Sequence, residues 1–165
     1  MRAVLDPIDR QILAILQRDA SLSAADVALR VGLSQSPCWR RIARLEKLGL
    51  VRRRVALLDR QRLGLGVLVF AQVKYARGAR QSLAGFEDTI RSFPEVQECY
   101  MLMGEVDFLL KIVTRDVAAY ERFLREKLSR IPAVREVRSS IALTTVKEST
   151  ELPLELAGTR EAVND

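Results

Sequence analysis

Apolar residues recur in this chain at two different periods, and the change between them constrains the fold most. Up to Gly49 the spacing is helical; from Val67 onward, strand-like alternation and helical spacing take turns. The pattern predicts a small helical unit followed by a mixed α+β unit. A length of 165 residues, 48% of them hydrophobic, suffices for two small packed domains.

The first unit reads as three short helices. Asp6 suits the cap of the first helix and Pro7 its first position, with Ile8, Ile12, Ile15 and Leu16 on the apolar face. Ser23 with Asp26 makes a capping-box start for the second helix, which turns Val27, Ala28 and Val31 inward. Gly32-Leu33-Ser34 is a tight turn, and Ser34 is placed to cap a third helix that tolerates Pro37 in its first turn. Cys38, Ile42, Leu45 and Leu48 are expected on its buried side, with Gly49 ending it. Two helices joined by a short Gly-containing turn are the helix-turn-helix pattern. Leu50 to Leu58 is β-rich with a basic centre and is expected to form a strand pair or wing. The expected division is residues 1–58 for this unit, 59–66 for a linker, 67–147 for the second unit and 148–165 for a polar tail.

In the second unit, Val67 to Tyr75 alternates as a strand. Leu83, Phe86, Ile90 and Phe93 keep helical spacing until Pro94. Val96–Met103 and Val106–Val113 read as strands joined tightly through Gly104-Glu105. A helix through Val117, Tyr120, Phe123, Leu124 and Leu128 and a strand from Val134 to Val146 complete a β-α-β-β-α-β order, the ferredoxin-like arrangement. Phe93-Pro94-Glu95-Val96 and Ile131-Pro132-Ala133-Val134 echo one another at the start of a strand in each half.

Charge separates the two units. Residues 1–60 hold 12 Lys and Arg against 6 Asp and Glu, while the remainder holds 15 of each. A basic module joined to a neutral one is expected of a DNA-binding head on a body with another task. The chain has no histidine, which removes the commonest general base and metal ligand. Its two cysteines, Cys38 and Cys99, form no metal-type spacing, so neither a catalytic centre, a metal nor a cofactor is expected. An early charge argues against a signal peptide, and no apolar run nears the roughly 20 residues of a membrane span, so a cytoplasmic protein without a membrane partner is expected.

With Cys38, Ile42 and Leu45 inward, the third helix presents a face suited to the major groove of double-stranded DNA. The candidate DNA-binding residues are Ser34, Gln35, Ser36, Pro37, Trp39, Arg40, Arg41 and Arg44, joined by Arg52 and Arg54 from the basic stretch. Trp39 suits either DNA contact or packing, and packing is the commoner role for a lone Trp. In the second unit, Gly104 fits an unusual backbone conformation or a close approach. Asp107 suits turn capping, the commoner role, or a ligand ammonium group. Met101 and Met103 suit core filling or an adaptable apolar pocket.

These residues carry a family resemblance. Leu5 to Arg10, Val31 to Ser34, Pro37-Cys38-Trp39-Arg40-Arg41, Arg44-Leu45-Glu46, Leu48-Gly49, Ala56 to Asp59, Gly104-Glu105-Val106-Asp107-Phe108-Leu109-Leu110 and Val146 to Pro153 are collinear with motifs of the Lrp/AsnC regulators. The chain resembles that family from Leu5 to Pro153. The resemblance implies a winged helix-turn-helix and a ferredoxin-like regulatory domain. It also implies homodimers that assemble toward octamers, and an amino-acid effector bound between regulatory domains. By position, the effector site would take in Met101, Met103, Gly104, Glu105 and Asp107, faced by Val117 and by Ser140, Ile141 and Ala142. Where many relatives have Ser or Thr before the glycine this chain has Met103, which favours an apolar or sulfur-containing effector. The rival classes are an architectural DNA-organising protein without an effector and a small enzyme on the same scaffold.

Overall fold

A computed structural model describes residues 5–75, 83–132 and 134–157. Its contacts divide the chain into two units: residues 1–57 together with 147–165, and residues 58–146.

The first unit is built on helices α1 (Pro7–Arg18), α2 (Ala24–Val31) and α3 (Gln35–Lys47). Asp6 and Asp9 form a complete capping box at the start of α1, and Ser23 and Asp26 form another at α2. Each satisfies backbone donors that a helix start leaves without partners. Gly32 ends α2 at φ 69°, in the left-handed region that a glycine enters without a steric cost. Ile12, Leu13, Leu16, Val27, Ala28, Cys38, Ile42 and Leu45 are buried together and make the core.

Four expectations need correction in this unit. Ser34 occupies the N-cap position of α3, but its side chain makes no capping hydrogen bond. Leu48 is 52% exposed, because α3 ends at Lys47 before that turn meets the core. The expected wing is absent as a strand: residues 52–58 are exposed and form no ladder, since no partner strand lies beside them among the described residues. The C-terminal segment is no separate tail. The Gln17 side-chain amide donates to the Leu152 carbonyl at 3.2 Å and accepts from its N–H at 3.0 Å. Arg18 pairs with Glu151 at 2.9 Å, and Leu154 packs against the helical core. This strap returns 135 residues after Gln17 to complete the unit that α1 begins.

The second unit follows the expected order: β1 (Val67–Tyr75), α4 (Leu83–Ser92), β2 (Val96–Met101), β3 (Phe108–Thr114), α5 (Val117–Glu126) and β4 (Val134–Ile141). The strands lie in the order β2-β3-β1-β4, every neighbour antiparallel. Val69, Ala71 and Val73 of β1 and Phe108, Leu110 and Ile112 of β3 face the helices and are buried with Phe86, Ile90, Tyr120 and Phe123. The sequence echo marks two equivalent turns: the Val96 N–H donates to the Phe93 carbonyl at 3.1 Å, and Val134 to Ile131 at 2.9 Å.

Here too some boundaries move. Residues 59–66 form a folded turn, with the Asp59 carboxylate accepting from the N–H groups of Gln61 and Arg62 at 2.9 and 3.1 Å. The final strand stops at Ile141, paired with Val69, rather than at Val146; only the Ala142 N–H continues the ladder, donating to the Leu68 carbonyl at 2.9 Å. The two-residue hairpin turn is instead a connection spanning residues 102–107, closed by the Leu102 N–H donating to the Asp107 carbonyl at 2.9 Å.

Candidate nucleic-acid interface and ligand-binding hairpin

The outward face of α3 carries Gln35, Ser36, Trp39 and Arg40, all exposed, with Ser34 just before it and Pro37 half-buried. Trp39 is 60% exposed, so packing within its own domain does not account for it. Cys38 behind it lies in the core, where burial pushes its thiol pKa up, as befits a small apolar residue rather than a reactive one.

The arginines of α3 divide. Arg40 points outward and, like Arg52 and Arg53, makes no ion pair among the described residues. Arg41 and Arg44 turn toward α1. Arg41 pairs with Asp6 and, at 2.9 Å, with Asp9; Arg44 pairs with the other oxygen of Asp9. The Asp9 side chain is 1% exposed, and a carboxylate so buried demands charged or hydrogen-bonding partners. The Asp9 backbone N–H and then Arg41 hold the Asp6 carboxyl below the usual carboxylate range. Arg54 is also occupied: it pairs with Glu46 at 3.0 Å and donates to the Ala20 carbonyl at 3.3 Å.

Sequence reasoning missed Asp9, though a signal was present. Asp9 falls one helical turn before Ile12 and Leu13, on the face that packs inward. A carboxylate there requires a cation from another element.

At the hairpin, Asp107 is fixed to the end of β1. Its Oδ2 accepts the Tyr75 N–H at 2.7 Å, and its own N–H donates to the Val73 carbonyl at 3.0 Å. Its carbonyl accepts the Leu102 N–H at 2.9 Å. The Asp107 side chain therefore holds the end of β1 rather than capping its own turn, while no hydrogen bond occupies its Oδ1 among the described residues. Gly104 adopts φ 155°, and a Cβ there would meet nothing within 4 Å, so conformation rather than space favours glycine. Met101, Met103 and Glu105 are exposed, Met103 completely. These methionines are not core fillers.

The other candidates lie far away. Phe108, at the hairpin, pairs with Val73, whereas Ile141 pairs with Val69 and the Ala142 N–H donates to Leu68. Val117 begins α5 just after β3 ends at Thr114, opposite Val67. Met101 lies on edge strand β2, while Ser140 and Ile141 lie on edge strand β4. From strand rise and spacing, the two groups are roughly 20 Å apart. One chain does not bring them together.

Two surface features accompany the hairpin. A cleft of about 510 Å³ opens between α4 and β2, over Ile90, Val96, Met101 and Phe108. On the sheet face away from the helices, Phe70 and Tyr100 are exposed and Leu109 and Val113 are half-buried.

Known proteins share both units. A family model described as winged helix-turn-helix DNA-binding matches residues 5–52, and one described as the Lrp/AsnC ligand binding domain matches residues 68–152. The chain is 38% identical to the leucine-responsive regulatory protein of Klebsiella pneumoniae, covering 90% of each. It is 36% identical to the DNA-binding transcriptional activator DecR of Escherichia coli, over 92% of this chain and all of that one. Among solved structures, a Neisseria meningitidis transcriptional regulator in complex with L-Met superposes with a TM-score of 0.89 at 37% identity, covering 92% of this chain and 97% of that one. An AsnC family transcriptional regulator from Agrobacterium tumefaciens gives 0.87 at 44% identity, covering 92% and 98%.

Proposed function

The chain belongs to the Lrp/AsnC family of DNA-binding transcription regulators, and on that footing we propose that it answers to an amino acid bound between copies of itself. It is a regulator and not an enzyme. In the proposed mechanism Gln35, Ser36, Trp39 and Arg40 enter the major groove, and Arg52 contacts phosphate. A dimer offers two such helices to half-sites about one helical turn apart. DNA as partner supports a cytoplasmic location; no helix among the described residues is long and apolar enough to cross a membrane.

The observation that carries the effector reading is the division of the candidate site. The hairpin group, with Asp107, and the group of Val117, Ser140, Ile141 and Ala142 occupy opposite ends of one sheet. A second copy is what unites them. Asp107 Oδ1 then receives the ligand ammonium group while Oδ2 stays on Tyr75, and Met101 and Met103 line the side-chain end. The open sheet face around Phe70, Tyr100 and Leu109 supports the dimer, since an apolar sheet face left open tends to be covered. Further contacts between dimers build the octamer.

The exposed methionines favour leucine or methionine, the amino acids named for two of the relatives. A thermal-shift screen of free amino acids is the test, because a ligand of the native state raises its melting temperature by mass action. One apolar or sulfur-containing amino acid should raise it, with a change in assembly by sedimentation. If none does, the effector reading falls and an architectural DNA-binding role takes its place.

A further inference from the structure

Arg41 and Arg44 sit on the helix assigned to the major groove, yet both are bound to carboxylates of α1. They are three residues apart and so share one side of α3. A single buried carboxylate, Asp9, accepts from both, one oxygen each. That arrangement holds α3 at two points along its length and fixes its rotation about its own axis. Turning α3 outward on that side would leave the Asp9 charge buried without a partner, which is costly. With rotation fixed, Gln35, Ser36, Trp39 and Arg40 keep their outward aim.

We propose that Asp9 is a positioning residue for DNA recognition: by holding Arg41 and Arg44 against α1, it sets the angle of α3 and withholds two cations from the phosphate backbone. The second effect concerns specificity. Phosphate contacts raise affinity for every sequence alike, whereas base contacts discriminate. An arginine released to the backbone strengthens binding to any DNA. A helix free to rotate blurs base readout. Asp9 therefore favours discrimination over raw affinity.

The inference rests on placing α3 in the major groove. Wild-type binding to a duplex selected from a randomised pool, compared with the unselected pool, tests that placement; the variants test Asp9. For Arg44→Gln, the slope of log affinity against log salt should equal that of the wild type. A slope flatter by about 0.9, the value of one phosphate contact on B-DNA, overturns the proposal. For Asp9→Asn, the slope on pool DNA should steepen by about one to two such contacts per chain. The preference for the selected duplex should fall tenfold or more. A merely structural role lowers both affinities in parallel and leaves slope and preference unchanged, and that outcome also overturns the proposal. If Asp9→Asn does not fold, Asp6→Asn removes one of the two partners of Arg41 at a more exposed position. It should steepen the slope by up to one contact, and an unchanged slope counts against the proposal.

Discussion

The two units treat their functional residues in opposite ways. In the helical unit, one continuous helix carries the recognition face, and a buried carboxylate ties it to its neighbour. That face is complete in one chain. In the sheet unit, the candidate effector residues are separated by the width and most of the length of the sheet. On the proposed function, DNA contact is a property of the single chain, whereas ligand sensing is a property of the proposed assembly. An effector acts only through its differential affinity for the states it distinguishes, and a site divided between copies supplies that difference directly.

The largest test of this contrast is Phe70→Lys, which places a charge on the open sheet face of central strand β1. It should convert the assembly to monomers by sedimentation and lower affinity for a two-half-site duplex on the order of a hundredfold, as linked binding is lost. A variant that stays assembled with full affinity places the dimer elsewhere. Asp107→Ala comes next. It should abolish the effector-induced thermal shift and lower stability by about 1 kcal/mol, because the Tyr75 N–H loses its acceptor. Operator binding measured by anisotropy should stay within about twofold of the wild type, a small effect for a site outside the helical unit.

Arg40→Ala stays within the helical unit. It should weaken DNA binding severalfold and flatten the salt slope by about 0.9 per lost phosphate contact. An unchanged slope removes Arg40 from the backbone. The smallest difference between units is expected under acid. Asp6 in one unit and Glu98 in the other both have lowered pKa values, Asp6 through the Asp9 N–H and Glu98 through Tyr100 and Lys111. A lowered carboxylate pKa contributes stability above the unfolded value of about 4, lost as pH falls through the folded value. With no histidine to titrate, melting temperatures should stay level from pH 8 to about 5 and drop below about 4 in both units. A transition near pH 6.5 in either unit contradicts this.

Local chemistry was the most legible part of the sequence. The Asp6 cap and the Ser23–Asp26 capping box act within one turn, so spacing alone reveals them, whereas the part of Asp9 in the first box went unread. The order of strands and helices in the second unit was legible for the same reason, since each element keeps its own period. What failed needed information from elsewhere in the chain or beyond it. Residues 52–58 have strand character but no partner strand among the described residues. The basic run of α3 looks uniform in sequence, and only the packing of α1 divides Arg40 from Arg41 and Arg44. Asp107 was expected to cap its own turn, but its side chain accepts from Tyr75 instead, a role that emerges only once β1 is adjacent. The distance between the two effector groups is a matter of strand order, which residue types do not encode.

The strap that joins Gln17 to Leu152 has a consequence in time. The chain leaves the helical unit at Leu57 and comes back to it at Lys147. At a synthesis rate of roughly 5 to 20 residues per second, α1 emerges from the ribosome about 7 to 27 seconds before its clamp does. The whole sheet unit is made in that interval. The part of the protein that touches the chromosome is therefore begun first and finished last, and a nascent chain acquires its complete DNA-binding unit only after the domain that is to govern it has been made.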